Sequence, residues 1–234
     1  MMRSIWRTLD AVLLRDVAAV ALGAAVTGAS FGAISVGSGL PWWMPVLMSV
    51  AIFAGGSQFM AVGIVAAGGS PAAAVVAGLV LNARHLPFGL AIGDVLGRSP
   101  LARVVGSHLL IDESTAFAMA QKDPARARAA YWACGVALFF SWNVGVLVGA
   151  LAGQAIGDTA TFGLDAAFPA AMLALTLPSL KDARTRNAAL TGAAIALTTT
   201  PFLPAGVPVL LALVGLVAFR TKKKEEAPCP SPQS

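Results

Sequence analysis

Residues 17–83 form a run of 67 positions without one Asp, Glu, Lys or Arg. A bilayer-spanning helix needs about 20 mainly apolar residues, and backbone groups in lipid must be hydrogen-bonded inside the protein. A run this long therefore predicts several helices joined by tight turns. Further charge-free runs follow at 129–157, 166–180 and 187–219. Composition excludes the main rival: 57% of the 234 residues are hydrophobic and 12% are charged, against about 25% charged in a soluble domain. A soluble enzyme does not fit that balance. The expected fold is all-α, a polytopic integral membrane bundle.

Eight apolar stretches are expected, at 17–36, 43–66, 71–92, 101–120, 129–151, 166–180, 187–203 and 205–219. Turns such as Ser38-Gly39-Leu40-Pro41 and Gly68-Gly69-Ser70-Pro71 separate them with the usual punctuation residues. The third and fourth stretches hold Asn82, Arg84 and His85, then His108, Asp112 and Glu113. Two crossings there give eight spans; two re-entrant or interfacial segments give six. Residues 1–16 read as a cytoplasmic interfacial segment, with Ile5, Leu9, Val12 and Leu13 at helical spacing. Residues 17–219 read as the transmembrane domain, and the polar, proline-rich 220–234 as a disordered cytoplasmic tail.

The basic residues set the expected orientation. With both termini inside, the inner segments collect every Lys and Arg except Arg84, within a stretch, and Arg98 and Arg103, which fall on the outer side. Placement at span ends explains the net charge of +5 by topology in a lipid bilayer, with no nucleic-acid partner needed. Trp42 and Trp43, and Tyr131 and Trp132, sit at stretch ends as interfacial belts do. Cys134 and Cys229 make no disulfide or metal spacing, and neither a metal nor a cofactor is expected.

Ionisable groups at membrane depth are costly, roughly 2.5 to 3.5 kcal/mol each. They persist when paired or when they line a wet cavity. The economical arrangement neutralises Arg84 with Asp112 or Glu113 across the helix pair; Asn82 and His85 share one helical face, and so do His108 and Asp112. A structural ion pair is one reading, and a substrate or proton site is the other. Two histidines and two acids exceed what one pair needs. Ala54-Gly55-Gly56-Ser57-Gln58 interrupts the second stretch. Gly-Gly permits local unwinding, which would free backbone groups for a zwitterion, with Gln58 as a neutral partner; close helix packing is the alternative. Trp142 and Asn143 lie deep in the fifth stretch, lining a pathway or bonded to neighbours. Gly28 and Gly32, and Gly145, Gly149 and Gly153, are small-residue packing stripes. Gly28-Ala29-Ser30-Phe31-Gly32 matches the G-x-S-x-G nucleophile elbow in letters, but it falls inside an apolar helix instead of a strand-to-helix turn.

These blocks have a familiar order. Phe31-Gly32, then Ser49 with Phe53-Ala54-Gly55-Gly56-Ser57-Gln58-Phe59, then Asn82-Ala83-Arg84-His85-Leu86, then Asp112-Glu113 resemble the AzlC-type branched-chain amino acid permeases. The likeness covers about residues 20–185 and includes Trp142, Gly149 and Leu164-Asp165-x-x-Phe168-Pro169-Ala170. It departs at Pro87-Phe88-Gly89, where a less kinked continuation is usual. The resemblance implies an exporter of leucine, isoleucine, valine and related apolar amino acids in a bacterial cytoplasmic membrane. It also implies proton coupling and a small AzlD-type membrane subunit as partner. Gln58, Asn82, Arg84, His85, Asp112 and Glu113 carry over as functional residues.

Overall fold

The computed structural model describes residues 10–97, 99–155, 173, 177, 179–204 and 207–215. All regular structure among them is helical, and the chain divides into two compact units, Met1–Leu175 and Thr176–Ser234. The first unit contains α1 (Ala11–Gly37), α2 (Trp43–Ala51), α3 (Gly55–Ala66), α4 (Pro71–Asn82), α5 (His85–Leu96), α6 (Pro100–His108), α7 (Asp112–Met119) and α8 (Pro124–Ala155). The second contains α9 (Ala183–Thr199) and α10 (Val207–Leu211).

Among the described residues, α1 and α8 are the two single helices long and apolar enough to cross a membrane. Their 27 and 32 residues give lengths of about 40 and 48 Å, more than the roughly 30 Å hydrocarbon core. They pack side by side and run parallel. Gly28 lies against Trp142, Gly145 against Ala25, Gly149 against Ala29 and Gly153 against Ala33, so the numbers rise together along both helices. A Cβ on Gly32 or Gly149 would overlap the backbone of the facing helix, which makes both glycine stripes packing surfaces. An Asp10–Arg126 ion pair joins the two N-terminal ends. Asp10 also N-caps α1, accepting from the Leu13 N–H at 2.8 Å. The helix starts at Ala11, so residues 11–16 continue into it; residues 1–9 lie outside the described ones.

Contacts along α8 fix the direction of every element between it and α1. Near the N-terminal end of α8, Arg128 donates to the Asp94 carbonyl at 3.1 Å. One turn on, Tyr131 donates to the Gly106 carbonyl at 2.6 Å, and Gly135 abuts Leu109. Helix α6 thus runs from the N-terminal end of α8 towards its middle. Helix α7 returns: Gln121, just beyond it, accepts from Arg126 Nε at 2.8 Å. The α6–α7 pair is a helical hairpin that turns back at 109–111, so residues 101–120 are not one continuous helix. Arg103 lies with Arg128 around one polar recess, which overturns its expected place at the opposite, outer end. Arg98 is outside the described residues. Tyr131 is fully buried and Trp132 packs on Gly106. They anchor this hairpin, correcting the belt reading, whereas Trp42 and Trp43 stay exposed.

Helices α4 and α5 join at 83–84 with a bend of 47° and are together long and apolar enough for one crossing. Pro87 accounts for the bend, since it has no N–H to give and its ring crowds the Ala83 carbonyl four residues back. Helix α5 ends where Leu96 and Ile92 cluster with Tyr131, so it runs towards the N-terminal end of α8. Helix α3 is antiparallel to α4, with Gly56 beside Leu81 and Ser57 beside Gly78, and therefore runs the other way. Helix α2 descends from the far end: Ser49 donates to Asn143 Oδ1 at 2.8 Å, and Phe53 meets Phe139 at 5.2 Å between ring centroids. Residues 43–66, expected as one crossing, are a second helical hairpin whose tip points towards that of the first. The physical reason is local. The chain leaves the helix at 52–54 just before two poor helix formers, Gly55 and Gly56, and Ser57 donates to the Ala54 carbonyl at 2.9 Å. Ser114 closes the other tip in the same way, donating to the Leu109 carbonyl at 2.8 Å. The two tips meet, with Phe53 and His108 6.4 Å apart.

In the second unit Asp182 caps α9, accepting from the Thr185 N–H at 2.8 Å. Helices α9 and α10 pack antiparallel, Gly192 against Ala212 and Gly215 against Ala188. Helix α9 has 17 residues and α10 five, and neither is among the helices long enough to cross by itself. The stretch expected at 166–180 lies largely outside the described residues, and the tail at 220–234 wholly so.

Candidate functional site

Three interruptions, at 52–54, 83–84 and 109–111, converge on one cavity of about 340 Å³. Its ionisable lining, Arg84, His85, Asp112 and Glu113, lies at or just after the second and third interruptions, and Gly55 and Gly56 follow the first. Each pair opens or directly precedes a helix. The first-turn N–H groups of α3 have no acceptor within the helix, and glycine leaves them bare of side chain. The acids of α7 sit where the helix dipole favours negative charge. The lining also contains the apolar side chains of Val20, Ala24, Phe53, Phe59, Leu138 and Trp142.

Arg84 Nη2 meets Asp112 Oδ2 at 3.2 Å, with side chains 37% and 35% exposed. Of the two acids weighed for Arg84, the partner is Asp112. Glu113 also lines the cavity and forms no ion pair among the described residues. Around the interruptions, buried polar atoms lack hydrogen-bond partners: both amide atoms of Gln58, Asn82 Oδ1, Arg84 Nε, His85 Nε2, Asp112 Oδ1, Thr115 Oγ1 and Trp142 Nε1. Each such atom left dry costs about 1–3 kcal/mol. Their concentration here marks the place where the fold expects water or a polar ligand.

The structure gathers most of the residues singled out from sequence. Gly55, Gly56, Arg84, His85, Asp112, Glu113 and Trp142 all line the cavity. The unwinding falls at 52–54, so Gly55 and Gly56 begin a helix and are not themselves unwound. Gly55 is held under the Trp142 ring, which a Cβ there would strike at 2.7 Å. Ser57 turns back to close the hairpin tip. Gln58 is 1% exposed and Asn82 ends α4; both stand outside the lining. Asn143 ties α8 to α2 through Ser49 and donates to the Phe139 carbonyl at 2.8 Å, again outside the lining. His108 does not share a helical face with Asp112, because the tip at 109–111 separates them. Sequence reasoning missed the α1 side of the wall, Val20, Gly23, Ala24 and Thr27. Their i, i+3, i+4, i+7 spacing was visible, yet any packed or lipid-facing helix stripe has it. Ser30 lies within α1 and donates to the Val26 carbonyl at 3.1 Å, so no nucleophile elbow forms.

A family model described as AzlC protein matches residues 19–156, from α1 through α8 and every polar residue of the cavity. The chain belongs to the AzlC family. Among similar proteins, the branched-chain amino acid transport protein AzlC of Bacillus subtilis (strain 168) is 25% identical over 208 residues, covering 86% of this chain and 80% of that one. Two proteins described as uncharacterized membrane proteins come from Helicobacter pylori. That of strain ATCC 700392 / 26695 is 25% identical over 212 residues (90% of this chain, 92% of its own). That of strain J99 / ATCC 700824 is 26% identical over 205 residues (85% and 90%). No solved structure matches. Together with α1 and α8, these findings make this AzlC-family chain a membrane protein.

Proposed function

We propose that this protein is a secondary transporter that exports branched-chain and related apolar amino acids across a bacterial cytoplasmic membrane. The observation that carries this reading is the mixed lining of the cavity. It combines a guanidinium, helix-start N–H groups and two carboxylates with aliphatic and aromatic side chains. That is the complement of a zwitterion with an apolar side chain. The printed name of the Bacillus subtilis relative supports the same substrate class.

In this mechanism Arg84 and the first N–H groups of α3 hold the substrate carboxylate. Asp112 keeps Arg84 in place, and Glu113, free of an ion pair, takes the ammonium or the coupling proton, with His85 as relay. The two hairpins reach the cavity from opposite ends, so withdrawal of one tip at a time would open it to one side at a time. The basic ends of α1 and α8 face the cytoplasm by the positive-inside rule, and a small AzlD-type membrane subunit completes the exporter. Radiolabelled leucine efflux from loaded vesicles, with and without that subunit, tests the reading. A protein that serves purely as a scaffold would show no efflux, and Arg84→Ala would lower its stability instead.

A further inference from the structure

Helix α1 contains two kinds of glycine. Gly28 and Gly32 are required by packing, since a Cβ on either would run into the backbone of α8. Gly23 is different. Its backbone is helical with no positive φ, and a Cβ there would meet no atom within 4 Å. Glycine within a helix is a loss of stability relative to alanine, and here neither conformation nor packing explains it. What glycine leaves is room, and the room adjoins the cavity that Gly23 lines. The other two glycines of the lining lack that space: Gly55 lies under Trp142, and Gly56 has Leu81 at 3.4 Å and Arg84 at 3.7 Å from its Cβ position. Gly23 shares the cavity-lining face of α1 with Val20, Ala24 and Thr27 and is itself exposed.

We infer that Gly23 sets the largest substrate side chain the cavity accepts. This rests on the amino-acid reading above. A side chain at position 23 takes volume that an isobutyl group needs while leaving the carboxylate and ammonium contacts intact. Discrimination then follows size, and one methylene more or less in an apolar pocket changes specificity by about 10-fold or more.

The test reconstitutes wild type, Gly23→Ala, Gly23→Val and Gly23→Leu in vesicles. It compares kcat/KM for leucine with that for the smallest apolar amino acid the wild type carries. The expected result is a graded fall in the leucine-to-small ratio, about 10-fold or more for Gly23→Leu, with the smaller substrate little affected. A ratio unchanged across the series overturns the inference, whether both rates fall together or neither does. Should Gly23→Leu fail to accumulate, the ratios of the Ala and Val variants decide alone. A wild type that moves leucine with an unaltered ratio in the variants refutes the role of Gly23 and leaves the transporter reading standing. A wild type that moves no apolar amino acid refutes both.

Discussion

Arg84 and Asp112 answer each other's charge at 3.2 Å, and this leaves the neighbouring carboxylate of Glu113 free to change partners. Two adjacent acids therefore have different jobs. Glu113→Gln is expected to keep the protein in the membrane and preserve leucine binding while abolishing proton-driven accumulation, measured as leucine efflux against an imposed pH gradient. Full coupled efflux in that variant would remove Glu113 from the cycle. Asp112→Asn strands Arg84 without its counter-charge, at roughly 2.5 to 3.5 kcal/mol for a lone arginine at membrane depth. Its expected signature is a loss of membrane-inserted protein, read by quantitative blotting, that Asp112→Glu largely restores. The spacing of these residues in sequence left Asp112 and Glu113 interchangeable. Only the direction of α7 out of its hairpin tip separates them, and that direction depends on Ser114 bonding back to Leu109 and on no pattern visible in the letters.

At the scale of elements, the long helices were legible and the folded-back ones were not. The stripes at Gly28 and Gly32 and at Gly145, Gly149 and Gly153 state close packing, and α1 and α8 pack through them. Gly149→Ala forces a Cβ into the Ala29 backbone, and overpacking of this kind costs about 1–3 kcal/mol. A lower melting temperature in detergent is expected, whereas Gly23→Ala on the same pair should leave it unchanged or raise it. By contrast, residues 43–66 read as one apolar crossing because a straight helix and a hairpin of equal length share one composition. Gly55-Gly56 and Pro87 flagged where the chain departs from helix but not the direction it then takes. Position 10 offers a pH test. The Leu13 N–H and the Arg126 guanidinium hold the Asp10 carboxyl below its ordinary value of 3.8. Its contribution to stability is therefore present above 3.8 and is lost as the pH falls below it. The melting temperature of wild type should exceed that of Asp10→Asn at neutral pH, and the two should converge under acid conditions.

On the scale of the first unit, the parallel α1 and α8, the bent α4–α5 pair and two opposed hairpins bring three helix interruptions to one cavity. With the N-terminal ends of α1 and α8 facing the cytoplasm, as proposed above, Arg103 and Gln121 fall on that side and Leu40 and Ala67 on the other. In a background with Cys134 and Cys229 replaced, an impermeant thiol reagent added outside should label cysteines at 40 and 67 and spare those at 103 and 121. External labelling at 103 would favour a full crossing over 101–120 and contradict the α6–α7 hairpin. The charge-free run at 17–83 announced a membrane protein; the three interruptions within the segments that follow α1 make it one with an internal site. On the proposed reading this site binds apolar amino acids through Arg84. The deciding measurement is efflux of radiolabelled leucine from vesicles containing the protein and the proposed small partner subunit. Wild type should export leucine, and Arg84→Ala should do so with about 10- to 100-fold lower apparent affinity, the worth of one charge-assisted hydrogen bond of about 1.5–3 kcal/mol. Equal efflux by both, or no leucine, valine or methionine efflux by the wild-type pair, would contradict it.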